Sequence, residues 1–411
     1  MNILQVLSTA LRIDPEQRFT CASCARCCRR HEIVVTPDEV ESLRRRDAGQ
    51  WFRAAYDAPA GAHDDPFTPL DDGRGYHLVR KGAEGACGFL SPTNRCRLHE
   101  ELGADAKPLT CRAFPFSFYH APGTVVVTAS FTCPTVVANH GDRIASGTSL
   151  DGISSLWKEW FAGHHPPASP RQLIPGRTIT PASIAVLRDG LLTILDRTDG
   201  GARDLRLNVR RMAMVFDDLT RARVLRLPDA DFAEYVKLTI PFAAASTQPV
   251  PMRAPTRLAR LLQRGFLFTV VAARERVEQR RLSRFRTVQL LAHVHGVAPP
   301  VGRVNMAALK SGRLDLNAPE IQPTAHHYLR ASLHAMGASE RPVLDAFAIA
   351  VSYLNAARAL AVMNGTAGTF AEALMEAVDL SHADEQGMLG RWVGQLTGGT
   401  EALYTLGTTG S

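Results

Sequence analysis

The sequence predicts an α+β protein in two parts, a small cysteine-rich metal-binding module followed by a mostly α-helical domain. Three observations carry that expectation. All eight cysteines of the 411-residue chain fall between positions 21 and 133. The same region holds short Val-, Thr- and aromatic-rich runs separated by turn residues, the signature of short strands. Beyond residue 165 the apolar residues recur at the spacing of amphipathic helices instead. The boundaries drawn on this basis are 1–150 for the module, 165–400 for the helical domain and 401–411 for a Thr/Gly-rich flexible tail.

Composition bounds the rest. An apolar content of 45% and a charged content of 21% fit a soluble globular protein with a real core. The net charge of +7 and pI near 9.1 favour anions only mildly. Lysine occurs only at Lys81, Lys107, Lys158, Lys237 and Lys310, so the positive charge is nearly all arginine. A bias that uniform reads as composition, and nucleic acid is not expected as a partner. Residues 1–11 lack the cationic start and apolar core of a secretory signal. No stretch has the unbroken apolar length of a membrane helix, so no membrane partner is expected. The expected compartment is the cytoplasm, where thiols stay reduced and free to bind metal, and a disulfide framework is set aside.

The organising stretch is Cys21-x2-Cys24-x2-Cys27-Cys28. Two residues between cysteines let one tight turn present both thiolates to one ion. The repeated spacing is also how the bacterial ferredoxin run opens, but there the next cysteine comes four residues later. Here Cys28 follows at once, and the only Cys-Pro pair is the distant Cys133-Pro134. Adjacent side chains are expected to diverge, so Cys21, Cys24 and Cys27 are the first candidate metal ligands. Some of Cys28, Cys87, Cys96, Cys111 and Cys133 would join them. No Asp, Glu, Lys or Arg lies between Arg112 and Asp142, which suits either a dry shell around a metal or a plain buried strand pair.

In chain order, residues 3–12 suggest a short helix and 31–35 a strand. Thr36-Pro37-Asp38-Glu39 is a capping box with proline at the first helical position, predicting a helix over 37–56. Residues 57–75 read as a loop. Strands are predicted over 76–79, 87–90 and 95–99, with the turn 91–94 making a hairpin that brings Cys87 near Cys96. A strand over 124–132 would deliver Cys133. Helices are then predicted over 180–198, 203–223, 229–243, 255–295, 324–336, 340–363 and 368–395, with linkers at 244–254 and 296–323. The ten arginines between Arg253 and Arg286 are read as a solvated face. The pairs His164-His165, His293-x-His295 and His326-His327 are read as surface histidines. No G-x-G-x-x-G loop, P-loop, G-x-S-x-G elbow or H-E-x-x-H occurs.

The residues from Phe19 to Phe118 resemble the CxxCxxCC family of zinc- or iron-chelating proteins, also called YkgJ-like cysteine-cluster proteins. The pieces that carry the resemblance are the cysteine run, Val34-Val-Thr-Pro-Asp-Glu39, Cys87-Gly-Phe-Leu90, Cys96-Arg-Leu-His99-Glu100 and Pro108-Leu-Thr-Cys111-Arg112-Ala-Phe114-Pro115-Phe116. They cover about a quarter of the chain. More distantly the chain is similar to flagellin lysine-N-methylases. That similarity implies an iron–sulfur cluster and S-adenosylmethionine-dependent methyl transfer to a protein lysine.

Three readings follow. The preferred one is a cysteine-cluster protein holding an iron–sulfur cluster, with zinc second, in a redox or substrate-activating role. The alternatives are the methylase, with S-adenosylmethionine as cofactor, and a zinc-stapled, non-catalytic interaction protein. Whether the chain is an enzyme stays open, and the partner, a protein or a small molecule, is unnamed. Arg112, next to Cys111, is the candidate for binding a cofactor or pairing with thiolate charge.

Overall fold

The computed structural model describes residues 10–56, 65–70, 75–81, 85–121, 124–163, 170–247, 315–338, 341–364 and 370–382. The fold is mixed helix and strand, as expected. Two compact units divide it: Met1–Phe118 with Asn139–Pro166, and Tyr119–Ala138 with Pro167–Ser411. The expected helix over 255–295, most of the linker over 296–323 and the tail lie outside the described residues.

The first described element of the first unit is β1 (Ala10–Arg12), where a helix was expected over 3–12; residues 3–9 of that expectation lie outside the described residues. The cysteine run leads into α1 (Arg26–Arg30), then β2 (Val34–Val35) and α2 (Pro37–Arg45). Thr36 caps α2 through the full box, accepting from Glu39 N while the Glu39 carboxylate accepts from Thr36 N.

The single helix expected over 37–56 is two. The chain turns at Arg46–Asp47–Ala48 before α3 (Gly49–Tyr56). Asp47 takes φ +50°, its N–H bonds Arg44 O at 2.9 Å, and Ala48 N bonds Leu43 O at 3.0 Å. That is a Schellman ending with aspartate in the left-handed position. It sends Ala48 and Phe52 into the core beside Leu43, which one straight helix would not do.

β3 (Phe67–Pro69) falls where only loop was expected, and β4 (His77–Val79) pairs with it and with β2, all antiparallel. The registers Val34↔Leu78 and Phe67↔Val79 bury Val35, Phe67 and Val79 on one face. The loss of Phe67 from water is what turns a Pro/Asp-rich stretch into a strand. α4 (Arg97–Leu102) and α5 (Leu109–Ala113) complete this part.

The chain passes into the second unit within β5 (Phe116–Ala121), and there forms β6 (Thr124–Ala129) and α6 (Pro134–Val137). It returns to the first unit at Asn139 and forms α7 (Gly147–Gly163), a helix that its one internal and two terminal glycines and four Ser/Thr residues hide in the sequence. Trp157 anchors α7 against Phe118, with ring centroids 5.9 Å apart.

The rest of the second unit is a strand pair, β7 (Gln172–Ile174) and β8 (Arg177–Thr178), and a set of helices. These are α8 (Pro181–Leu195), α9 (Leu205–Leu219), α10 (Ala222–Leu225), α11 (Asp229–Ala245), α12 (Gln322–His334), α13 (Val343–Asn364) and α14 (Phe370–His382). Their positions match the expected helices within the described residues to a few positions at each end. Leu187, Leu191, Ile194, Val209, Phe216 and Leu329 are fully buried between them. Phe216 stacks on Phe347 at 5.2 Å. The buried Arg171 guanidinium closes this unit by donating to His120 O, Gly337 O and Ala338 O. Among the described residues no helix is long and apolar enough to cross a membrane.

Candidate metal centre

The approach to the cysteine run is fixed from the far side of the first unit. Phe19 N donates to Asp142 O at 2.9 Å and Thr20 N to His140 O at 3.2 Å. Asp142 N donates back to Thr20 Oγ1 at 3.2 Å. Gly141 permits this approach: its φ is +108°, and a Cβ there would stand 2.4 Å from Thr20 N.

Past that clamp, Cys21, Ala22, Ser23 and Cys24 are all exposed. Ser23 and Ala25 take φ values of 54° and 57°, the left-handed region that costs a residue with a Cβ roughly 1–2 kcal/mol. α1 then carries Cys27 and Cys28, both half-buried. Their Sγ atoms are 4.0 Å apart, contrary to the divergence expected of neighbours. Consecutive Cα atoms are only about 3.8 Å apart, so side-chain rotation alone closes the sulfurs together.

Cys87 is bound to this helix through its backbone, donating from N to Cys28 O at 2.7 Å. Gly88 must follow it, because a Cβ at that position would lie 1.9 Å from Cε2 of Phe52 and 2.8 Å from Arg80 O. Leu90 and Cys96 form an antiparallel bridge around the turn, with Ser91 N on Arg95 O at 2.8 Å and Asn94 at φ +63°. The expected hairpin therefore exists only as this bridge. Residues 97–99 are helical and not strand, since Cys96 already serves as the N-cap residue of α4, its carbonyl accepting from Glu100 N.

Cys111 sits in the middle of α5, and two bonds dock that helix. Glu39 Oε1 accepts from Leu109 N at 2.6 Å, and Thr110 Oγ1 donates to Val34 O at 3.0 Å. The capping box was visible in the sequence, but this second bond of Glu39, made by its other carboxylate oxygen, was not.

Cys28, Cys96 and Cys111 all pack on the core cluster that contains Cys87. Electrostatics reports the same gathering. A hydrogen bond from Cys28 lowers the Cys27 thiol to about 6, against the cost of burial and with help from Lys107. The Cys28 thiol is driven far up by that same bond, by burial, and by the neighbouring sulfurs of Cys27, Cys87 and Cys111. Burial, with Cys96 and Cys27 adding to it, pushes Cys87 up to about 11. Burial, then Cys87, Cys96 and Cys27, pushes Cys111 up as well. Five thiols thus share one neighbourhood, and Cys28, Cys87 and Cys111 resist ionising within it.

The other candidates are placed differently. Cys21 and Cys24 stay exposed ahead of this group. Cys133 belongs to the second unit, where it precedes α6 with its N–H on Ser130 O and its carbonyl accepting from Val137 N, both at 3.1 Å. Arg112 is held within the first unit: Nε donates to Lys107 O at 2.9 Å, and both terminal nitrogens bind the Glu159 carboxylate. His326 and His327 are not surface residues. His326 Nε2 pairs with Asp196 Oδ1 at 2.8 Å, and buried His327 meets Val136 O at 3.0 Å. The other histidine pairs and the arginine run lie outside the described residues.

Among the described residues, no three His, Cys, Asp or Glu side chains stand at coordinating geometry. The donor set nonetheless fits a thiophilic ion in kind and in number, because five of the gathered groups are thiols and a tetrahedral ion takes four.

A cluster of thiols on a small α+β core defines the first unit as a cysteine-cluster module. Residues 20–134 match the family model described as "CxxCxxCC: Putative zinc- or iron-chelating domain". This part of the chain is similar to that family, and the family's description supports metal chelation by it. No curated protein and no solved structure matches the chain.

Proposed function

We propose that the first unit holds one thiophilic divalent ion, zinc or iron, through four thiolates drawn from Cys27, Cys28, Cys87, Cys96 and Cys111. The observation that carries this is the 4.0 Å separation of the Cys27 and Cys28 sulfurs. Two thiolates bound tetrahedrally to one ion at about 2.3 Å stand about 3.8 Å apart. In a four-iron cluster each cysteine ligates a different iron and bridging sulfides hold those sulfurs farther apart, whereas a two-iron cluster, like a single ion, takes two thiolates on one metal. The close pair thus speaks for two thiolates on one metal and against the four-iron cluster suggested by the ferredoxin-like spacing, and a single ion is the simplest centre that meets it.

The chain's own residues set the rest. Cys28 and Cys87 are joined by backbone, Glu39 docks the helix of Cys111, and the Leu90↔Cys96 bridge brings Cys96 back toward Cys87. A bound ion would supply the positive charge that these thiolates lack and would cross-link α1, the 85–90 segment, the start of α4 and α5. Lys81 and Lys107 favour the charged sulfurs from outside.

The test is anaerobic purification with metal and sulfide analysis and a UV–visible spectrum, on the wild type and on Cys28→Ser. One zinc or iron per chain without inorganic sulfide, lost in the variant, is expected. Iron with equimolar sulfide would replace the single ion by a cluster. Folded protein that takes up no metal would refute the proposal.

A further inference from the structure

The seven cysteines of the first unit fall into two sets by exposure. Cys87 is buried and Cys27, Cys28, Cys96 and Cys111 are half-buried, whereas Cys21 and Cys24 are exposed. The recessed five already exceed the four positions of a tetrahedral ion. The outer two have the C-x2-C spacing that offers both sulfurs to one ion, and only Ala25 and Arg26 separate them from Cys27. The run is also held at both ends. Phe19 and Thr20 are clamped by Asp142 and His140, and α1 begins with Arg29 N on Ala25 O at 3.1 Å. The exposed pair is thus tethered a few residues from the recessed thiols, facing water.

We propose that Cys21 and Cys24 form a loading port, a transient two-thiolate site through which thiophilic divalent ions pass to and from the recessed thiols. The proposal rests on the mononuclear thiolate reading above. The ligand class is a soft-metal complex of a small thiol, such as zinc–glutathione. Cys21 and Cys24 displace two of its thiolates, and Cys27 and Cys28 then displace Cys21 and Cys24. Each sulfur–metal bond that forms replaces one that breaks. Each incoming thiol gives its proton to the departing thiolate or to solvent, and the oxidation state of the metal is unchanged. A tethered pair raises the local thiol concentration far above that of a free thiol, so the gain lies in rate and not in affinity.

The experiment uses the full chain loaded with zinc and the double variant Cys21→Ser/Cys24→Ser. Zinc content is measured at equilibrium, and uptake from zinc–glutathione and release to a chromogenic chelator are timed. We expect unchanged stoichiometry with both rates lowered at least about tenfold. Loss of zinc from the double variant would make the pair resident ligands and overturn the port. Exchange at the wild-type rate would overturn it equally. A wild-type chain that takes up no zinc and no iron fails the underlying metal reading instead, and Cys28→Ser, measured alongside, separates the two failures.

Discussion

Glu39 Oε1 accepts a 2.6 Å hydrogen bond from Leu109 N, while Oε2 of the same carboxylate accepts from Thr36 N at 2.8 Å. One side chain therefore closes the cap of α2 and docks the first residue of the helix that carries Cys111. Glu39→Ala removes two charge-assisted bonds and is expected to cost about 2–3 kcal/mol. It should also weaken metal retention. Chemical denaturation together with zinc competition checks this, and a variant of unaltered metal affinity would separate the cap from the site.

Gly88 lies against the Phe52 ring and Arg80 O, with no room for a Cβ. Gly88→Ala must displace Phe52 or shift Cys87, and overpacking of this kind costs about 1–3 kcal/mol. The expected result is a lower denaturation midpoint, with loss of bound metal at denaturant concentrations where the wild type keeps it. Phe52→Leu in the same background should recover part of the stability by making space.

Arg112 and Glu159 form a two-pronged ion pair, with side chains 19% and 47% exposed. Glu159 holds the Arg112 guanidinium above its usual range. A pair this open to solvent contributes little, so Glu159→Gln should cost about 0.5–1 kcal/mol, and less in high salt. Metal content should not change. If Glu159→Gln released the metal, Arg112 would act on the thiols and not only on Glu159.

Asp345 lies in the first turn of α13, 7% exposed, and burial raises its carboxyl to about 6 against the pull of Arg341. A raised acid favours the folded state only while protonated. Its contribution is complete below the unfolded value of about 4 and is lost as pH rises through about 6. Asp345→Asn is therefore expected to stabilise the protein by about 1 kcal/mol at pH 7.5 and to change nothing at pH 4. Thermal melts at both pH values check it, and equal shifts at the two would remove the titration from the explanation.

The helices of the second unit were legible because their apolar residues repeat at one period over fifteen or more positions, as in α8 and α9. The first unit was harder to read. β3 depends on Phe67 finding Val79 on a strand twelve positions away, which no local period encodes. The break at Asp47 depends on a non-glycine residue accepting φ +50° so that Ala48 can be buried. The thiols were legible as a group, but their division was not. Spacing singled out Cys21, Cys24 and Cys27, whereas the fold gathers Cys27 with Cys28, Cys87, Cys96 and Cys111. That choice is made by contacts such as Cys87 N on Cys28 O, between residues 59 positions apart, and spacing within a ten-residue window carries no information about it.

The clamp on Phe19 and Thr20 bears on how this module can be moved between proteins. The matched segment stops at residue 134, yet His140, Gly141 and Asp142 hold the first turn of the cysteine run in place. A fragment cut at the edges of the match would keep every thiol but lose its clasp, and it would carry residues 119–134, which belong to the other unit. As a transplantable cassette the cysteine motif is incomplete. Its inheritance as a working part requires the returning strand of chain after Asn139 to travel with it.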